Sequence, residues 1–235
     1  METLNLSNAI VTALRLLVDG DPELWEIISI SFRVSGVAIL VATPPALVIA
    51  FFLTYKQFPG RRLLISIFST LLSVPAVVVG LTLYLLLSRH GPMGDWKLLF
   101  TQSAMVLGQI ALSFPILVAM GHAALQAADK RAWETALTLG ASPVRAFYSV
   151  MREVRFGLLA ALLAAFGRII AEVGASMMLG GNIMHYTRNI PTAIALETSK
   201  GEFSRGIALG LVLLTLAFSL NALLHHVQGK GQPVS

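Results

Sequence analysis

A polytopic all-α membrane fold with five transmembrane helices is what this sequence predicts, and three observations carry that expectation. Charged residues make up only 12% of the 235-residue chain while 56% is apolar; soluble domains carry about 25% charged residues. Five apolar stretches each reach the ~20 residues that a helix needs to cross the hydrocarbon core. The lysines and arginines gather mainly in two of the loops between those stretches. A nucleic-acid binder with the same net charge of +5 would show a basic, aromatic-interleaved surface stripe, and there is none. Zero cysteines exclude disulfides, thiolate metal sites and a cysteine nucleophile.

The first segment, 1–23, is expected to stay out of the membrane core. Within it, 9–18 is apolar but too short to cross, and reads as an interfacial helix with Asn5 or Ser7 near its start and Asp19-Gly20-Asp21-Pro22 at its end. Residues 1–17 lack the basic start, long apolar stretch and small-residue cleavage site of a removable signal. The spanning domain, 24–228, holds spans at 27–55, 63–88, 104–127, 154–180 and 204–227, and the tail 229–235 is expected to be disordered. Pro44-Pro45, Pro75 and Pro115 are expected to kink their spans.

Five spans put the termini on opposite sides, and the positive-inside rule chooses which. On one side stand nine basic residues, Lys56, Arg61, Arg62, Lys130, Arg131, Arg145, Arg152, Arg155 and Lys230; on the other are four, Arg89, Lys97, Arg188 and Lys200. The N-terminus is therefore expected outside and the C-terminus inside. Trp25 and Trp96 fit an aromatic belt at the outer interface.

The longest inside loop, 128–153, has the signals of a rigid element. Asp129 can cap a helix starting at Lys130, and Trp133, Ala136 and Leu137 share one helical face. Gly140 suits the left-handed position that stops a helix, and Ser142-Pro143 supplies a cap and a first helical residue. The expectation is helix, sharp turn, helix, a knob able to transmit a push from a partner. Glu134-Thr135-Ala136-Leu137-Thr138-Leu139-Gly140 resembles the EAA loop of ABC importer permeases. Glu134, Ala136 and Gly140 match that pattern, Thr135 stands where a second alanine is usual, and the downstream Leu-Pro is missing. The resemblance implies that this loop is a cytoplasmic coupling helix docking on an ATPase subunit, with Trp133, Glu134, Ala136, Gly140, Ala141, Ser142 and Pro143 at the contact.

Arg168 and Glu172 lie inside the fourth span, where a charge costs about 2.5–3.5 kcal/mol on insertion scales. Four residues apart, they share a helix face and can pair. Two readings stand open, a structural pair buried between helices, which is favoured, and an anion-attracting arginine in the pathway. The run from Gly167-Arg168 through Glu172-Val173-Gly174-Ala175-Ser176 to Gly181-Asn182-Ile183 resembles the fourth-span signature of molybdate and sulfate permeases, with Ala171 and Val173 replacing a glycine and a phenylalanine. The following run, 187–203, is most similar to the tungstate permeases.

Hydroxyls at Ser66, Thr70 and Ser73 recur at helical spacing before Pro75. Together with Gln109, Ser113, Ser176 and Asn182 they are candidates for an oxyanion path, or else interhelical hydrogen-bonding glue. The histidines show no metal-ligand spacing, and no Gly-rich loop for nucleotide phosphates is present.

One five-helix chain is too small to enclose a pathway, so a two-fold homodimer in membrane lipid is expected. The resemblance implies a bacterial or archaeal cytoplasmic membrane, two cytoplasmic ATPase subunits carrying the ATP-Mg, and an oxyanion-binding protein outside. The permease itself would hold no cofactor, bind no nucleic acid and perform no catalysis. Tungstate is the implied cargo, with molybdate, sulfate or another small anion as alternatives. A self-sufficient channel or membrane enzyme is the remaining reading, against which stand the structured loop and the lack of convergent catalytic groups.

Overall fold

The computed structural model describes residues 18–127 and 131–229, together with Val11 and Arg15. Most of the expected interfacial helix, the Asp129 cap and the tail from 230 on lie outside the described residues. The chain runs through α1 (Pro22–Tyr55), α2 (Arg61–Leu71), α3 (Ala76–Leu87), a 3-10 turn (Gly94–Trp96) and α4 (Gln102–Ala127). It continues with α5 (Arg131–Thr138), α6 (Pro143–Glu153), α7 (Arg155–Ile170), α8 (Gly174–Gly180), α9 (Ile190–Lys200) and α10 (Phe203–Gly229).

The first span begins earlier than its apolar run suggests. The Asp21 carboxylate accepts hydrogen bonds from the backbone N–H groups of Glu23 (3.0 Å) and Leu24 (3.2 Å), and Pro22 takes the first helical position. The Asp-Gly-Asp-Pro run is thus the start of α1 as well as the end of what precedes it. Ala38, Ala42, Ala46 and Ala50 recur every fourth residue of α1 and are fully buried. Such small side chains let helices approach closely in a membrane. The core forms where this stripe meets Leu117 and Val118 of α4 and Ala165 and Ile169 of α7. Large apolar residues, among them Leu40, Leu85, Leu214 and Phe218, cover the outside, as hydrocarbon tails require.

Among the described residues, three helices are long and apolar enough to cross a bilayer, α1, α4 and residues Phe203–Leu223 of α10. The other two expected spans are broken. α2 and α3 are bent by 101° and α7 and α8 by 62°, so five spans are reached with each bent pair counted once. The spans expected at 63–88 and 154–180 are thus present as bent pairs: the kink expected at Pro75 is a full break, and the break after Ile170 was not expected from the sequence.

Physical causes for the breaks are local. In the second span, Ser73 and Val74 close tight turns on Thr70 and Leu71, and Pro75, extended at φ −62° and ψ 132°, opens α3. Proline brings no N–H to a helix and disfavours helical geometry in the residue before it. Pro44, Pro45 and Pro115, by contrast, lie inside helices that continue past them. The broken spans pack backbone against backbone: a Cβ on Gly80 of α3 would stand 2.9 Å from the Cα of Ala175 in α8.

The helix α9 was not expected. Its start is a reciprocal cap in which Asn189 Oδ1 accepts from the Thr192 N–H (3.2 Å) and Thr192 Oγ1 accepts from the Asn189 N–H (3.1 Å). The Ser31 hydroxyl accepts from the Ile190 N–H at 2.7 Å and docks α9 on α1.

Candidate functional site

At the Tyr55 end of α1, residues 131–153 form helix, turn, helix. The turn is a Schellman motif: the Ala141 N–H donates to the Ala136 carbonyl and the Gly140 N–H to the Leu137 carbonyl, each at 3.0 Å, with Gly140 at φ +83°. The Ser142 hydroxyl then accepts from the Arg145 N–H (3.4 Å), and Pro143 opens α6. These bonds account for the spacing of Ala136, Gly140, Ala141, Ser142 and Pro143.

An aromatic cluster anchors the knob. Phe51 of α1 is buried, with ring centroids of Tyr55, Trp133 and Phe147 at 4.7, 4.9 and 4.9 Å. Ala146 and Val150 complete the buried face of α6. Trp133 was legible as a face residue; Phe51, Tyr55 and Phe147 were missed, although two rings four apart at the end of an apolar span were a usable signal. Glu134 stays exposed, and Leu139, Val144 and Tyr148 are each at least 75% exposed. The knob therefore offers a rigid surface on which the apolar side chains of Leu139, Val144 and Tyr148 stand with the exposed charges of Glu134 and Arg145.

The charged pair of the fourth span is present, with Arg168 Nη1 donating to Glu172 Oε2 at 2.7 Å. Glu172 sits in the break rather than mid-helix, since α7 ends at Ile170. Its other oxygen accepts from the Gly174 N–H at 2.9 Å, at the start of α8. Gln109 reaches across from α4, its Nε2 donating to the Ile169 carbonyl (3.3 Å), which also receives the Glu172 N–H (3.2 Å). The break is held from both sides.

The seven candidate pathway residues separate into three sets. Gln109, Ser113 and Ser176 are buried among helices. Ser66, Thr70 and Ser73 are exposed on and just beyond α2, the Thr70 hydroxyl donating back to the Ser66 carbonyl. Asn182 lies in the loop after α8 in a left-handed conformation, φ 52°.

That loop, 181–189, meets the loop 88–101 at the Glu23 end of the molecule. The Phe100 N–H donates to the Leu179 carbonyl (2.8 Å), and Gln102 Nε2 to the Tyr186 carbonyl (2.6 Å). Among the described residues, every non-glycine residue with positive φ lies in these two loops: Lys97, Phe100, Asn182 and His185. Trp96, Phe100, Met184 and Tyr186 are exposed there, beside an open cavity of about 890 Å³ lined by Arg89, His90 and Lys97. Arg205 joins an ionic network with Glu23 (3.2 Å) and Asp21 (3.9 Å). Arg188 joins it through Glu23, and His185 pairs with Glu26.

Comparison with known proteins decides what this architecture is. The profile of the binding-protein-dependent transport system inner membrane components matches residues 42–230. The chain belongs to that family. It is 40% identical over 216 residues to the tungstate uptake system permease protein TupB of Campylobacter jejuni, covering 92% of this chain and 90% of that one. To the molybdenum transport system permease protein ModB of Escherichia coli it is 32% identical over 214 residues, covering 87% and 92%. A chain in the crystal structure of an amino acid ABC transporter with histidines shares the fold, with a TM-score of 0.64 at 18% identity over 91% of this chain and 96% of that one.

Proposed function

We propose that this protein is the permease subunit of an ABC importer for tungstate. The observation that carries the cargo is the 40% identity to a tungstate permease along nearly the whole of both chains, against 32% to a molybdenum permease. Two copies would enclose the pathway about a two-fold axis, with the N-terminus outside and the C-terminus in the cytoplasm. The chain itself holds no nucleotide; ATP-Mg is bound and hydrolysed by a partner ATPase.

The knob suits the coupling role. Its turn is closed by backbone hydrogen bonds and its base is clamped on Phe51, so a push on Leu139, Val144 or Tyr148 moves the end of α1 as well. On the far side, the paired loops 88–101 and 181–189 suit docking of the binding protein. Backbone strain of the kind seen at Lys97, Phe100, Asn182 and His185 persists where surrounding structure over-determines it, and clusters at ligand clamps and switches. ATP-driven closure of the ATPases would draw the two knobs together and open the path outward, and hydrolysis would reverse it.

The test is uptake by the complete importer in proteoliposomes, with tungstate, molybdate and sulfate in competition. Tungstate uptake that a tenfold excess of sulfate leaves intact supports the assignment. Preference for molybdate or sulfate keeps the importer and replaces the cargo.

A further inference from the structure

Arg168 has five N–H donors, and among the described residues it spends one of them, on Glu172. Its side chain is 50% exposed, whereas that of Glu172 is 9% exposed. Glu172 is held independently, because its second oxygen accepts from the Gly174 N–H. The contact is tight, since a Cβ on Gly174 would lie 3.3 Å from that oxygen and 2.7 Å from Val77 Cγ2. Removing the arginine therefore leaves the carboxylate anchored.

Depth makes the exposure informative. Arg168 stands ~20 Å along α7 from Arg155 at 1.5 Å per residue, within a hydrocarbon core of about 30 Å. Bare guanidinium N–H groups facing lipid there would be costly, and ionisable residues inside spans turn instead to the interior or to a water-filled cavity. Around Arg168 the surface is that of the two breaks. Ala171 and Val173 are exposed beside it, and Val77, which packs on Gly174, follows the exposed Ser73 and Pro75 of the other broken span. Irregular backbone at membrane depth is tolerated where it is buried in protein or lines water; these residues are exposed on the single chain, so in the two-copy assembly they face the second copy or the water between the copies.

We propose that Arg168 is a transfer point for the oxyanion within the membrane, its free N–H groups facing the translocation path and Glu172 limiting how long the anion stays. This rests on the importer reading above. A lone guanidinium would trap a dianion; one already paired to a fixed carboxylate offers directional donors with no net charge. Conduction needs this balance, strong enough to admit and weak enough to release.

The test uses the complete importer, permease with ATPase and binding protein, in proteoliposomes given ATP and tungstate. R168Q is expected to lower uptake at least tenfold, and R168Q/E172Q equally, although the double variant leaves no unpaired carboxylate. Recovery of uptake in the double variant to within twofold of wild type would show a purely structural pair and overturn the proposal. A second measurement needs no transport and decides the matter if the double variant fails to assemble. In equilibrium dialysis of the permease–ATPase complex without binding protein, E172Q should bind tungstate at least tenfold more tightly than wild type; no gain overturns the proposal. Wild-type liposomes that take up none of tungstate, molybdate or sulfate would sink the importer reading, and this site with it.

Discussion

Phe51 is buried at the Tyr55 end of α1, and rings from α5 and α6 close on it at 4.9 Å each. Truncating a buried phenylalanine costs about 3–5 kcal/mol, and here the loss falls on the contact that fixes the knob to the membrane domain. Phe51→Ala is expected to lower the thermal unfolding midpoint in detergent and to reduce ATP-driven uptake more than Phe51→Leu, which refills most of the volume. Gly140→Ala probes the turn instead. At φ +83° an added Cβ strains the left-handed backbone by about 1–2 kcal/mol. Since the space around Gly140 is open, circular dichroism melting should show that conformational strain with no steric addition. The turn was readable beforehand because its parts are local: Ala136, Gly140 and Ser142-Pro143 announce a stop and a start within a few residues. The clamp was not, because Phe51 and Trp133 are brought together by the fold, and neither sequence neighbourhood names the other.

At the scale of elements, the two broken spans carry most of what the sequence concealed. Pro75 announced an irregularity, yet hydropathy is the same for a straight helix and one bent by 101°, so the size of the bend was invisible. The second break, after Ile170, contains no proline at all. It depends on Glu172 capping the Gly174 N–H and on Gln109 reaching Ile169 from another helix, contacts that no hydropathy pattern within the span announces. The start of the helix α9 is encoded locally, in the cap Asn189-Ile190-Pro191-Thr192. Asn189→Ala should cost about 1 kcal/mol, typical of a lost N-cap, seen as faster amide hydrogen exchange at the start of α9. Where α3 crosses α8 the backbones leave no room, so Gly80→Leu should destabilise by about 1–3 kcal/mol, the usual cost of overpacking. Gly36, inside α1 with nothing near its Cβ position, serves as the control: Gly36→Ala is expected to hold or slightly raise the midpoint, glycine in a helix interior being about 0.5–1 kcal/mol less stable than alanine.

For the whole molecule, the asymmetry of charge between its two ends is what the proposed orientation rests on. One end presents the knob, with Lys56 after α1 and Arg61 and Arg62 at the start of α2; the other presents the Glu23 network and the paired loops. Which end meets the cytoplasm follows from the positive-inside rule, and the absence of cysteine makes the question directly measurable. A single cysteine at His90, on the loop 88–101, should react with a membrane-impermeant maleimide added to intact spheroplasts. One at Ser142, in the exposed turn of the knob, should react only after the membrane is opened, and the two should exchange behaviour in inside-out vesicles. Both positions are solvent-exposed, so protection reports sidedness rather than burial. The reverse pattern would place the knob outside, away from any cytoplasmic ATPase, and the coupling role would fall with it. Because the knob and the paired loops stand at opposite ends of α1 and α4, that one pair of labelling experiments fixes the side on which ATP acts and the side from which the anion arrives.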